Sequence, residues 1–256
     1  NVQILSSNLV QNGDFSEEGA EEVSNGSFSQ EGVQLITNGS FDTDSDWTKG
    51  TGWSISGGSA NCDGVSSNSS LYQNVGGVNN TIYKITGTIS NYVSGTLQVG
   101  GSSNFLAVNS NGDFVHYRQW TSDSTLYLKS VNFIGSIDNV SCVEVGQDWT
   151  LGTGWSIGED KAISDGTTSN LDQFSTSIIG KSYKVALTVN NITTGALSVR
   201  LGSTSSSEVI NITSNGTYIA YGVAETTYLR LRSQSGFDGS VTNISVKEVG
   251  QNWDLG

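Results

Sequence analysis

The sequence predicts an all-β chain of two tandem antiparallel β-sandwiches, each a jelly roll. Three observations support this. One phrase occurs twice: Asp46-Trp47-Thr48-Lys49-Gly50-Thr51-Gly52-Trp53-Ser54-Ile55 returns as Asp148-Trp149-Thr150-Leu151-Gly152-Thr153-Gly154-Trp155-Ser156-Ile157. A repeat of this period, about 100 residues, is a duplicated domain, because solenoid units run nearer 20 to 50. Gly, Ser, Thr and Asn crowd the spaces between short apolar runs, as in strands joined by many turns. Finally, apolar and polar residues alternate without helical periodicity, as in Leu126-Tyr127-Leu128-Lys129.

In chain order, residues 1–45 carry a finer repeat of Asn-Gly phrases. Leu9-Val10-Gln11-Asn12-Gly13-Asp14-Phe15 is followed by Glu22-Val23-Ser24-Asn25-Gly26-Ser27-Phe28, then by Leu35-Ile36-Thr37-Asn38-Gly39-Ser40-Phe41. Each reads as a short strand broken at Asn-Gly, a pair that accepts positive φ. Glu and Gly separate the copies, and the early acids (Glu17, Glu18, Glu21, Glu22 and Glu31) read as a solvated face.

Residues 46–146 form the first module, with short strands expected at 52–55, 59–62, 70–75, 83–90, 95–99, 105–108, 113–120, 125–131 and 136–145. Residues 147–250 repeat the plan. Residues 251–256 read as the start of a truncated third repeat at Trp253 or as a C-terminal strand.

The net charge of −13 opposes a nucleic-acid partner. No apolar run approaches the length of a membrane-spanning helix, so no membrane insertion is expected. The chain has no Met and starts at Asn1, which suggests a processed or partial chain. His116 is the only histidine, and no carboxylate spacing marks an acid/base pair, so a non-enzyme is expected.

The opening Leu35-Ile36-Thr37-Asn38-Gly39-Ser40-Phe41-Asp42, then Gly52-Trp53, and the closing Ile137-Asp138-Asn139-Val140-Ser141 resemble carbohydrate-binding modules of families 4 and 9. Those are galactose-binding-like jelly rolls. The phrases are also similar to tandem modules in tail and fibre proteins of environmental phages. The resemblance implies a structural Ca²⁺ held in part by Asp42 and Asp138, with Thr242 replacing the Asp in the second module. No other cofactor is implied. The family fold also implies that the strand around Cys62 pairs with the last strand, which would permit a Cys62–Cys142 disulfide. Two small buried thiols are the other reading.

For sugar recognition the candidates are outward-facing aromatic and polar side chains. Leu126 and Leu128 match Leu229 and Leu231 as core. That turns Tyr127 and Lys129 outward in one module, and Tyr228, Arg230 and Arg232 in the other. Gln98 and Arg200 join from the neighbouring run. A second cluster is His116, Arg118 and Trp120, on one face of a strand that alternation leaves as either core or solvent.

Three Asn-Gly strands sit at the front, yet only the first module has one immediately before it. The expectation is that Leu9, Val10, Phe15, Val23 and Phe28 belong to assembly strands that fill the gap in a neighbouring subunit. The function expected is a structural, adhesive fibre subunit at a virion or extracellular surface. The alternative is a carbohydrate-binding protein that attaches a phage or secreted enzyme to glycans. The partners expected are the chain itself and surface glycans.

Overall fold

The computed structural model describes residues 16–121 and 124–251, and every regular element among them is a strand. Two short strands come first, β1 (Glu18–Glu21) and β2 (Glu31–Gln34). They are followed by β3 (Thr48–Lys49), β4 (Trp53–Ile55), β5 (Ala60–Asp63), β6 (Ser70–Asn74), β7 (Ile82–Gly100), β8 (Leu106–Val108), β9 (Gly112–Gln119) and β10 (Thr125–Val145). The order returns as β11 (Thr150–Leu151), β12 (Trp155–Gly158), β13 (Lys161–Asp165), β14 (Asn170–Phe174), β15 (Ser182–Arg200), β16 (Glu208–Ile212), β17 (Gly216–Val223) and β18 (Tyr228–Val249).

The chain divides into two compact units. Module one is Gln30–Gln147; module two joins the segment ending at Ser29 to the chain from Asp148 onward. Each is an antiparallel jelly-roll sandwich whose two longest strands run through both sheets. In module one, β10 pairs with β7 along its whole length. The first half of β10 and the second half of β7 sit in a five-stranded sheet, β3-β6-β10-β7-β8. Their other halves pair with β2 and β9, and β5 with β4 completes that layer.

Such strands turn from one sheet to the other at bulges. The register of β10 against β7 shifts between Val131 and Ile134 and again between Asp138 and Ser141, where Asn132 and Asn139 have φ of 53° and 54°. Asn tolerates this left-handed conformation better than most residues. The sequence expectation broke β10 at the first of these points, between 131 and 136, and β7 between 90 and 95, and carried 136–145 through the second.

Between the layers lie Leu71, Ile85, Ile89, Leu97, Val99, Leu126, Leu128 and Ile137, all at or near zero exposure. Burying each such side chain contributes about 1.5–3 kcal/mol. Module two buries Leu171, Val185, Val189, Leu197, Val199, Leu229, Leu231 and Val241 in the same way.

The structure corrects the assembly expectation. Module two is closed by a segment of its own chain. β1 pairs with β18, and Glu22 N–H donates to Val246 O at 2.9 Å. Val23 and Phe28 are buried, and the Phe28 ring lies 5.1 Å from that of Trp149. In module one β2 pairs with β10, and the Phe41 ring lies 5.3 Å from that of Trp47. The described part of the front region, residues 16–45, is therefore not a separate segment: it supplies one opening segment to each module. Val23 and Phe28 are thus taken up within module two of their own chain. Leu9, Val10, Phe15 and Trp253 lie outside the described residues.

The two Asn-Gly phrases among the described residues, at Asn25 and Asn38, are turns, and the Glu-rich stretches are the strands. Glu21 explains the inversion: its carboxylate accepts Val246 N–H at 2.7 Å and Ser245 O–H at 2.5 Å. Gln34 does the same work in module one, accepting Cys142 N–H at 2.8 Å. Glu18 is held by Lys184 and Lys247, and Glu31 by Lys84. These carboxylates dock the segment rather than simply solvating a face. Glycine follows each Asn because a Cβ at Gly26 or Gly39 would overlap the carbonyl oxygen of Ile244 or Val140.

Cys62 and Cys142 are both buried free thiols. The disulfide is excluded by register: β5 does pair with β10, but Cys62 stands opposite Gly135, far along the strand from Cys142. Burial pushes the Cys142 thiol pKa up to about 12.

Candidate functional site

The alternation that buries Leu126 and Leu128 turns Tyr127 and Lys129 onto the outer face of the five-stranded sheet. Register then decides their neighbours. Tyr127 stands between Tyr72 and Gly100, and Lys129 between Ser70 and Gln98. The Tyr72 and Tyr127 rings lie 5.4 Å apart with planes 35° from parallel. Lys129 Nζ sits 5.6 Å above the Phe105 ring. The face thus offers two half-exposed tyrosines flanked by an amide and a cation.

The matching face of module two is β11-β14-β18-β15-β16. Arg230 stands between Asp172 and Arg200, and Arg232 between Asn170 and Ser198. Arg230 donates two hydrogen bonds to the Asp172 carboxylate, at 2.8 and 2.7 Å, and its guanidinium lies 5.1 Å from the Tyr228 ring centroid. This fork-to-carboxylate geometry is the strong form of the ion pair, and it raises the Arg230 pKa. Arg200 is only 8% exposed; its Nε donates to Ser198 Oγ at 2.8 Å, and Nη2 lies 3.9 Å from Glu208. The Tyr228 and Phe174 rings are 5.4 Å apart, with Phe174 55% exposed.

His116, Arg118 and Trp120 lie on the inward side of β9 and do not join this face. Trp120 is fully buried, 5.0 Å from the Tyr83 ring and edge-on to it. Arg118 donates to the carbonyls of Ser103 and Asn104, with its guanidinium 5.3 Å from the Trp120 ring. Burial lowers the pKa of His116, whose Nε2 lies 3.4 Å from the Asn104 carbonyl. This cluster ties the loop after β7 to the core.

The Ca²⁺ expectation meets a poor donor set. Asp42 accepts the Ser40 hydroxyl at 2.7 Å, and Asp138 the Asn139 N–H at 2.6 Å. Among the described residues no three His, Cys, Asp or Glu side chains converge. Two carboxylates so engaged fall short of the six to eight oxygens the ion takes.

Sequence reasoning missed Tyr72, Phe105, Asn170, Asp172 and Phe174. The signal was available in the matched runs 70–74 and 170–174, where Tyr72 aligns with Asp172 and Asn74 with Phe174.

No family model and no curated protein matches the chain. Several solved structures are similar to it. The CBM22-1–CBM22-2 tandem domain of Paenibacillus barcinonensis Xyn10C is 11% identical over 86% of this chain and 99% of that one, with a TM-score of 0.36. An allantoicase is 11% identical over 71% and 77% of the two chains, TM-score 0.29. A Paenibacillus xanthan lyase is 16% identical over 81% of this chain and 25% of its own, TM-score 0.25. With identities of 11–16% and TM-scores of 0.25–0.36, these likenesses carry no argument about the ligand or role of this chain.

Proposed function

We propose that this is a non-catalytic carbohydrate-binding protein acting outside the cell or on a virion surface, with the outer faces of its five-stranded sheets as binding platforms. The Tyr72–Tyr127 pair carries this reading. Two rings side by side on an open sheet offer π-faces to the C–H faces of pyranose units, while Gln98 and Lys129 are placed to meet hydroxyls. The fibre reading rested on an unfilled edge in module two, and the chain's own opening segment now occupies that edge.

The test is binding of the intact chain to a glycan array, followed by titration of the best ligand. Replacing both Tyr72 and Tyr127 by Ala should weaken binding by about tenfold, the loss expected for an aromatic stacking platform. An array on which the folded chain is silent contradicts the reading.

A further inference from the structure

In a chain of net charge −13 with eleven Lys and Arg, unpaired cations are scarce. Eight of the eleven form ion pairs with carboxylates. Arg118 is turned inward onto backbone carbonyls. The two that remain are Lys129 and Arg232. Among the described residues neither has a carboxylate partner: Lys129 rests over the Phe105 ring, and Arg232 donates only to the neutral amide of Asn170 at 3.3 Å.

These two residues occupy the same place. Lys129 pairs across to Ser70 and Gln98, and Arg232 to Asn170 and Ser198, the same registers on the same strands of the two modules. Each points out from the five-stranded sheet on a face that carries an aromatic pair: Tyr72 with Tyr127 lies one step along the strands from Lys129, and Phe174 with Tyr228 two steps from Arg232, beyond the Asp172–Arg230 ion pair. The acids of this chain are numerous enough to pair every cation. Two equivalent cations kept apart from them leave charge available for a ligand.

We infer that both faces take anionic glycans, with Lys129 and Arg232 each meeting a carboxylate or sulfate on the sugar. This rests on the glycan-binding reading and narrows its ligand class. A charge-assisted contact to a carboxylate or sulfate is about twice as strong as one to a hydroxyl. The aromatic pair on the same face, one step along in module one and two steps along in module two, supplies the ring contact that a free anion lacks. Arg232 fits the planar carboxylate with two donors; Lys129 offers a point charge. The two modules should therefore differ in how far they distinguish uronate from sulfate.

The experiment titrates the whole chain with polygalacturonate and its carboxyl-reduced form, and with a sulfated galactan and its desulfated form. One anionic polymer should bind on the order of tenfold more tightly than its neutral counterpart. Lys129→Met and Arg232→Met should each remove part of that preference, and together all of it, with unchanged unfolding midpoints. Lys161→Met, which removes a lysine already paired with Glu159, should leave it intact. Equal binding of charged and neutral forms would overturn the anion inference while leaving glycan binding standing. Absence of binding to any glycan would overturn both. A preference that survives the double substitution would place the anion elsewhere and refute the assignment to these residues.

Discussion

Module one is continuous in sequence from Gln30 to Gln147, whereas module two is split, its opening segment lying ahead of module one and its remainder behind. The two are closed by the same hardware. The Gln73 side chain accepts Thr37 N–H and donates to Thr37 O, both at 2.9 Å; Gln173 makes the same pair of bonds with Ser24, both at 2.8 Å. Trp47 Nε1 donates to Asn38 O and Trp149 Nε1 to Asn25 O. Val140 N–H donates to Gly39 O and Ile244 N–H to Gly26 O, each at 2.9 Å. A sandwich thus requires its opening segment in place and tolerates a whole domain inserted behind it, because loop-closure cost grows only slowly with length.

The largest effect should come from the buried phenylalanines. Phe28→Ala should destabilise module two by about 3–5 kcal/mol and Phe41→Ala module one by a similar amount, the usual cost of emptying such a site. Hydrogen exchange should show Phe28→Ala deprotecting β12 through β18 while β4 through β10 keep their protection. Loss confined to the strands nearest in sequence, in module one, would break the comparison. A smaller loss, about 1–3 kcal/mol, is expected for Gln173→Ala, which leaves the Ser24 backbone groups without partners. Gln73→Ala should cost module one at least as much, since Gln73 Nε2 also donates to Asp46 O at 3.0 Å, and denaturant titration would reveal the asymmetry.

A pH effect should separate the modules more finely. Cys142 occupies in module one the position that Val246 holds in module two, each opposite the same register of its neighbour. Its folded pKa is about 12, above that of a thiol in the unfolded chain near 8.5. Above pH 9 the unfolded state gives up its proton first, so module one should lose about 1.4 kcal/mol per pH unit between those values. Stability from this group is full below pH 8.5. Tyr83 and Tyr183 are both raised by burial and act alike in the two modules. Cys142→Val should abolish the difference. Thermal unfolding of wild type and variant at pH 7 and pH 10.5 checks it.

Much of this was legible in the sequence, because the duplication allowed one copy to be read against the other. Leu126 and Leu128 against Leu229 and Leu231 fixed which residues face inward, and Tyr127, Lys129, Arg230 and Arg232 do lie on the outer face. The copy at 35–41 was read as completing module one, as it does; what could not be read was that the copy at 22–28 serves module two of the same chain. Near-identical phrases carry no label for their partner, and the choice is made by long-range pairing. Cys62 shows the same limit: the pairing of its strand with β10 was expected, but the residue opposite it depends on register. The His116–Trp120 face was undecidable by alternation because the strand mixes bulky polar and apolar residues on one side.

The two outer faces place their aromatic pairs at different steps along the strands. The Tyr72–Tyr127 pair of module one stands where module two has Asp172 and Arg230, and the Phe174–Tyr228 pair lies one step along the strands, where module one has Asn74 and Thr125. Both keep an aromatic pair and a cation. Calorimetric titration of the whole chain with a short oligogalacturonide, repeated with a sulfated oligosaccharide, tests this account most directly. Two sites per chain are predicted for the anionic ligand the chain prefers, one removed by Lys129→Met and the other by Arg232→Met. No site for either ligand, or two that neither substitution touches, would contradict it.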